Sequence, residues 1–228
     1  MNRYVIGLIL LMPAHFLFGQ TTDTEFWTGG TINLKMHKRF SGQAEQVFKF
    51  NDTISHFKSA YSELGLKFKM GRIFSIAANY RYIENPPTKN AQRFSVDFIF
   101  NFGKKKFPLS LQYRLRLQHE IRFSNRKTED YVRNRFRLGY NLCKLVDPYF
   151  SCEPFFRLNG KYEFRVARYT IGLDWRITQN LQLTSFYLFQ KDVNINRPDK
   201  NHIVGLMISY DIRTYKKIRK DKTVPSIK

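Results

Sequence analysis

From residue 25 onward, apolar and polar side chains alternate with a period of two, the pattern of strands that give each face a different environment. Between Arg93 and Phe102, the residues Phe94, Val96, Phe98, Phe100 and Phe102 fall on one face, while Arg93, Ser95, Asp97 and Asn101 fall on the other. Leu109, Leu111, Tyr113, Leu115 and Leu117 stand against Ser110, Gln112, Arg114, Arg116 and Gln118 in the same way. So do Phe136, Leu138, Tyr140 and Leu142 against Arg133, Arg135, Arg137 and Asn141. A helix would repeat its apolar residues every three or four positions, and none of these runs does.

Eleven such segments begin near Phe26, Gln43, Lys58, Ile73, Gln92, Pro108, Tyr131, Pro148, Glu163, Leu181 and His202. Each is about ten residues long, the length a tilted strand needs to cross a bilayer. Tight turns are predicted at Lys38–Gly42, Met70–Arg72, Gly103–Phe107, Cys143–Asp147 and Thr178–Asn180. Longer polar loops are predicted at Asn51–His56, Asn85–Ala91, Ile121–Asp130 and Val193–Asn201. Short turns at one end and longer loops at the other are the habit of bacterial membrane barrels, and so is an even number of strands. An odd count predicts either a strand missing from the tally or a segment outside the wall, with Glu25–Asn51 the first place to look.

Alternation alone does not say which face is inside. A soluble barrel or sandwich keeps a dry interior and puts its charges in water, whereas a membrane barrel reverses the two faces. The start of the chain favours the membrane. Val5 to Phe18 is a long apolar run, but Pro13 and His15 interrupt it, and a spanning helix needs about 20 apolar residues. Arg3, the apolar stretch Tyr4–Met12 and Gly19 after Leu17-Phe18 follow the order of an export signal cleaved after Gly19. The final segment also points to the membrane. Gly205-Leu206-Met207-Ile208-Ser209-Tyr210 ends on an aromatic, like the signal read by barrel-assembly machinery, although a basic tail follows it. The chain therefore divides into a signal peptide (1–19), a transmembrane β-barrel (20–212) and a basic tail (213–228).

Composition narrows the picture further. With 228 residues there is room for one all-β domain, and an aromatic share of 16% is too high for a disordered chain. The formal net charge of +21 suits nucleic acid, an anionic membrane surface or an anionic ligand. Export leaves the last two. Cys143 and Cys152 are read as unpaired thiols, since the strand phase sets them on opposite faces of one hairpin. Trp27, Tyr80, Tyr82, Tyr149, Trp175 and Tyr187 are candidates for the aromatic girdle of a membrane barrel. No spacing of Cys and His suggests a metal, no cofactor motif is present, and His37, His56, His119 and His202 fit no pattern of nucleophile and base.

Several short motifs carry a family resemblance. These are Phe26-Trp27-Thr28-Gly29, Tyr80-Arg81-Tyr82, Gln112-Tyr113-Arg114-Leu115-Arg116, Asn134-Arg135-Phe136-Arg137-Leu138, Glu153-Pro154-Phe155-Phe156 and Arg168-Tyr169-Thr170-Ile171-Gly172-Leu173. In this succession the chain resembles the Bacteroidota outer-membrane β-barrel family catalogued as domain of unknown function 2490. The resemblance implies a barrel in the outer membrane and implies no activity.

The candidate site is on the charged face. A symmetric Ile121–Asp130 loop would set Arg114 opposite Arg137 and Arg116 opposite Arg135. Extended to neighbouring strands, that register predicts a lumenal row Asp97–Arg114–Arg137–Glu153–Arg168, flanked by a surplus of Arg116, Arg133 and Arg135. Like charges directly opposed destabilise a sheet, so such a row must be compensated. It is either an ionic network filling a narrow lumen or an attractor for a small anionic ligand. The sequence thus predicts an all-β, antiparallel up-and-down transmembrane β-barrel of about 10–12 strands. Its expected setting is the outer membrane, with membrane lipid and the assembly machinery as partners and no nucleic acid. It would be structural or a narrow, anion-preferring, porin-like pore. A lipid-modifying outer-membrane enzyme and a soluble periplasmic ligand-binding barrel are the alternatives.

Overall fold

The computed structural model describes residues 23–51, 55–86, 90–103, 108–124, 127–160, 163–195 and 198–214. They form eleven strands and, among the described residues, no helix. In chain order these are β1 (Asp23–Lys35), β2 (Phe40–Asn51), β3 (His56–Lys69), β4 (Phe74–Glu84), β5 (Ala91–Gly103) and β6 (Leu109–Arg122). Then follow β7 (Thr128–Tyr140), β8 (Val146–Arg157), β9 (Glu163–Arg176), β10 (Leu181–Asp192) and β11 (Lys200–Arg213). Every strand starts within three residues of the position that the alternation predicts. The predicted signal segment 1–19 and residues 215–228 of the predicted tail lie outside the described residues.

Each strand pairs antiparallel with its chain neighbours, and the sheet closes on itself through β1 and β11. This closure resolves the odd count. In a meander every strand reverses the last, so the first and last of eleven run the same way and can only pair in parallel. They do so over an unbroken ladder from Asp23↔Asn201 to Lys35↔Arg213. Among the described residues no strand stands outside the wall: the suspect stretch Glu25–Asn51 supplies β1 and β2, both in the barrel. The expected contrast in loop length is weaker than predicted, because the strands run longer than ten residues. The Ile121–Asp130 loop shrinks to residues 123–127, and the longest connection is 193–199.

The two faces of the wall are sorted in the sense opposite to a soluble protein. Asp97, Arg116, Arg133 and Glu153 are 3%, 5%, 5% and 7% exposed, whereas Leu64 and Ile171 are 63% and 57% exposed. The outward face is also knitted by aromatic pairs that sit directly across ladders. Ring centroids of Phe74 and Phe100, Tyr113 and Phe136, and Phe40 and Phe68 are each 4.9 Å apart, and Tyr80 and Phe94 are 5.1 Å apart. Each such pair contributes about 0.2–1 kcal/mol beyond an alanine pair.

Inward apolar groups are few and are concentrated toward the end where the chain enters β1. Val47, Tyr61, Ile83 and Ala91 form a small buried cluster with Met207 against it, and Ile203 is 1% exposed. On the β8–β11 side, rings fill the space above glycines: a Cβ on Gly205 would fall 2.1 Å from Cζ of Phe186, and one on Gly172 would fall 2.7 Å from the Tyr149 ring.

The parallel seam is directly testable. Thr28 and Leu206 are ladder partners with side chains on the same face, and paired Cα atoms in a sheet lie within the span of a disulfide. Cysteines at these two positions, in a Cys143→Ser/Cys152→Ser background, should cross-link under mild oxidation. Thr28→Cys with Ile208→Cys, two residues out of register, should not. Preferential cross-linking of the second pair would displace the seam.

Candidate functional site

The strands' inward positions enclose a cavity of about 590 Å³. It runs from Lys35, Lys69 and Asp211, at the ends of β1, β3 and β11, up to Trp27, Arg93 and Arg168. Its lining carries eleven Lys and Arg side chains against five Asp and Glu. Toward the end where the chain enters β1 lie Ile83, Ala91 and Ile203 and the ion pairs of Glu25 with Lys58 and of Glu120 with Arg93. The cavity has a cationic wall.

At its centre the observed ladder differs from the predicted one by two residues. β6 and β7 pair Arg114 with Arg135 and Arg116 with Arg133, and Arg137 faces Gln112. The hairpin turns one residue earlier than a symmetric Ile121–Asp130 loop would place it. Moving the centre of a hairpin by one residue slides the pairing by two, which preserves the face of every side chain and changes its neighbours. Like charges are opposed, as the sequence indicates, but in other pairs.

The compensation is specific. Asp97 lies opposite Arg116 and accepts both its Nε–H at 2.5 Å and an Nη2–H at 2.7 Å. Glu153 Oε1 accepts from Nη2 of Arg114 at 2.7 Å and from Nη2 of Arg133 at 3.0 Å. Arg114 thus stands between two carboxylates, with its Nη1 4.0 Å from Asp97. Arg133 is held further by Gln118 at 3.0 Å and lies 4.1 Å over the Phe155 ring.

Two members of the predicted row sit differently. Arg137 pairs with Asp174 at 2.5 Å and stacks 3.8 Å over Tyr149, lining a separate space of about 420 Å³ near the short-turn end. Arg168 is the ladder partner of Glu153, as predicted, but donates to Gln190 at 2.8 Å and lies over Trp27 and Phe155. The lumen therefore brings together Asp97, Arg114, Arg116, Arg133, Arg135 and Glu153, with Arg168 alongside and Arg137 apart.

Other lumenal charges escaped the sequence reading although they obey the same alternation. Glu63 pairs with Arg81 at 2.6 Å, and Arg81 lies 3.7 Å over Tyr61. Lys49 lies 4.2 Å over Trp27, which donates its Nε1–H to Glu25 at 2.7 Å. Trp27 and Tyr149 are therefore lumenal groups that shield buried cations and do not belong to an outer girdle. Tyr80, Tyr82, Trp175 and Tyr187 do point outward. The polar phase of β2, β3 and β4, continued as in β5 to β7, is the signal that places Lys49, Glu63 and Arg81 inside.

On the outer wall, His119 Nδ1 lies 2.5 Å from Asp130, which also accepts from Asn159 at 2.6 Å. No hydroxyl or thiol hydrogen-bonds to His119 among the described residues. His202 bonds to the Tyr187 hydroxyl beside Phe189. Cys143 and Cys152 are free thiols, and no group of His, Cys, Asp and Glu among the described residues is placed to hold a metal.

Because Glu153 serves two buried guanidiniums, its loss should cost far more than the loss of an outlying partner. Glu153→Gln is expected to lower unfolding stability by about 3–5 kcal/mol, the cost of orphaning a buried charge, while Asp174→Asn should cost less. Adding Arg133→Gln to Glu153→Gln should recover part of the loss. Urea unfolding of the detergent-folded barrel measures all three.

A search of curated proteins finds none that matches the chain. The family described as "Protein of unknown function (DUF2490)" matches over residues 24–201, which takes in β1 to β10 and the start of β11, and the chain belongs to that family.

Proposed function

We propose that this protein is an integral barrel of a bacterial outer membrane whose narrow cationic lumen receives anions. The observation that carries the reading is the sorting of the wall: a continuous apolar, aromatic-rich surface outside and buried ionic groups inside. Water would make that exterior an aggregation surface, since soluble monomers rarely expose large contiguous apolar patches. Acyl chains would make it the favourable one. The predicted export signal and the resemblance to outer-membrane barrels support the same reading, and a soluble periplasmic ligand-binding barrel fits the exterior poorly.

Within the lumen, the surplus of cations favours anions over cations. The cavity is small, about 590 Å³, so it suits a receptacle more than a wide channel. Whatever enters would do so past Lys35 and Lys69. A lipid-modifying enzyme is the weaker alternative. His119 with Asp130 and Asn159 has the form of an oriented base on the outer wall, but it lacks a nucleophile within hydrogen-bond reach.

Cell fractionation and planar-bilayer recording test the reading together. The full chain should appear in the outer-membrane fraction and migrate faster on gels unheated than boiled. In bilayers it should show no large steady conductance, and any current that it passes should prefer anions. A soluble periplasmic product, or a wide cation-preferring channel, would contradict it.

A further inference from the structure

We infer that the Arg114–Arg133–Arg135 corner of the lumen is a binding site for a divalent oxyanion of the phosphate type. The inference deepens the reading of a lumen that receives anions and rests on it.

Four guanidiniums, on Arg114, Arg116, Arg133 and Arg135, occupy two directly opposed pairs on β6 and β7. Two carboxylates answer them. Asp97 is engaged twice by Arg116, and one oxygen of Glu153 is shared between Arg114 and Arg133. This leaves two positive charges in excess. Arg135 takes none of the carboxylates: its Nη2 donates to the neutral Gln112 at 2.9 Å. The Nε–H groups of Arg114, Arg133 and Arg135 are all buried without an acceptor. Arg133 and Arg114 are 5% and 9% exposed, and Arg135 is half-buried. All three residues line the same cavity.

A buried charge without a partner is costly, and so is each buried donor left without an acceptor. A guest that cancels the cluster's excess must bring about two negative charges, with acceptor oxygens for the guanidinium edges that line the cavity. Chloride supplies one charge and no directional acceptors. A carboxylate supplies one charge and two oxygens. Phosphate, or a phosphate monoester, carries about −1.5 to −2 with three strong acceptor oxygens and suits the guanidinium fork. Lys67 lies on the same inward row as Asp97, through Ala77, and lines the path from the mouth. The cavity is larger than a phosphate ion, so the organic part of an ester would have room beside it.

The test uses the full chain, folded in detergent, with thermal unfolding and calorimetric titration. At equal ionic strength and pH, inorganic phosphate should raise the unfolding midpoint of the wild type above its value in chloride or acetate, and should bind saturably. Glycerol 3-phosphate distinguishes sources: binding tighter than inorganic phosphate indicates a phosphorylated organic ligand, and weaker binding indicates the free ion. Both satisfy the site.

Arg135→Gln should keep heat-modifiable migration and weaken phosphate binding at least tenfold. It should also unfold no earlier than the wild type in phosphate-free chloride, because it removes an uncompensated charge; an arginine with a purely structural role would lower the midpoint. If Arg135→Gln does not fold, Arg135→Lys keeps the charge, removes the Nε–H and should weaken binding similarly. Equal effects of phosphate and chloride on the wild type, or unchanged phosphate affinity in the variants, would overturn the site. In that event correct folding and outer-membrane fractionation would leave the membrane reading standing, whereas a soluble product would remove that reading independently.

Discussion

The structure depends on one constraint, the satisfaction of buried charge inside a narrow closed sheet. A wall of eleven strands leaves little room, and nearly every strand sends Arg, Lys, Asp or Glu into it. Most of those groups find a partner across a ladder or over a ring. The result is a set of short-range solutions: Asp97 with Arg116, Glu153 between Arg114 and Arg133, Glu63 with Arg81, Glu120 with Arg93. Where carboxylates run out, aromatic faces take over, as with Lys49 on Trp27 and Arg168 on Phe155. The ionic lumen fixes register on the inside, and aromatic pairs fix it on the outside.

Closure follows from the same economy of space. A closed sheet leaves no edge strand with unpaired backbone groups. With an odd number of strands it can do so only through a parallel seam, and the long β1–β11 ladder supplies it. The parallel seam also places the start of β1 and the end of β11 at opposite ends of the barrel.

Much of this was legible in the chain. A period of two is a local property, written into runs such as Phe94 to Phe102, and it identified the strands and their faces. Register was less legible because it depends on the centre of each turn. Ile121 and Arg122 extend β6, and Thr128, Glu129 and Asp130 extend β7, into what reads as a polar loop, and this unequal extension exchanges Arg137 for Arg135 in the central cluster. The seam was not legible at all, since pairing of the first and last strands leaves no local mark. Trp27 shows a further limit: an aromatic near a strand end suggests an interfacial girdle, yet its odd position in β1 puts it inside, over a lysine. The phase of the alternation was the better guide than residue type.

The central claim is the orientation of the two faces in a bilayer. Spin labels placed singly from Arg93 to Asn101 on β5, in a Cys-free barrel reconstituted into lipid, would report it through collisions with dissolved oxygen and with a polar nickel chelate. The account predicts high oxygen accessibility at positions 94, 96, 98 and 100 and low accessibility at 93, 95, 97, 99 and 101. The opposite phase, or nickel access at the even positions across the whole strand, would contradict it.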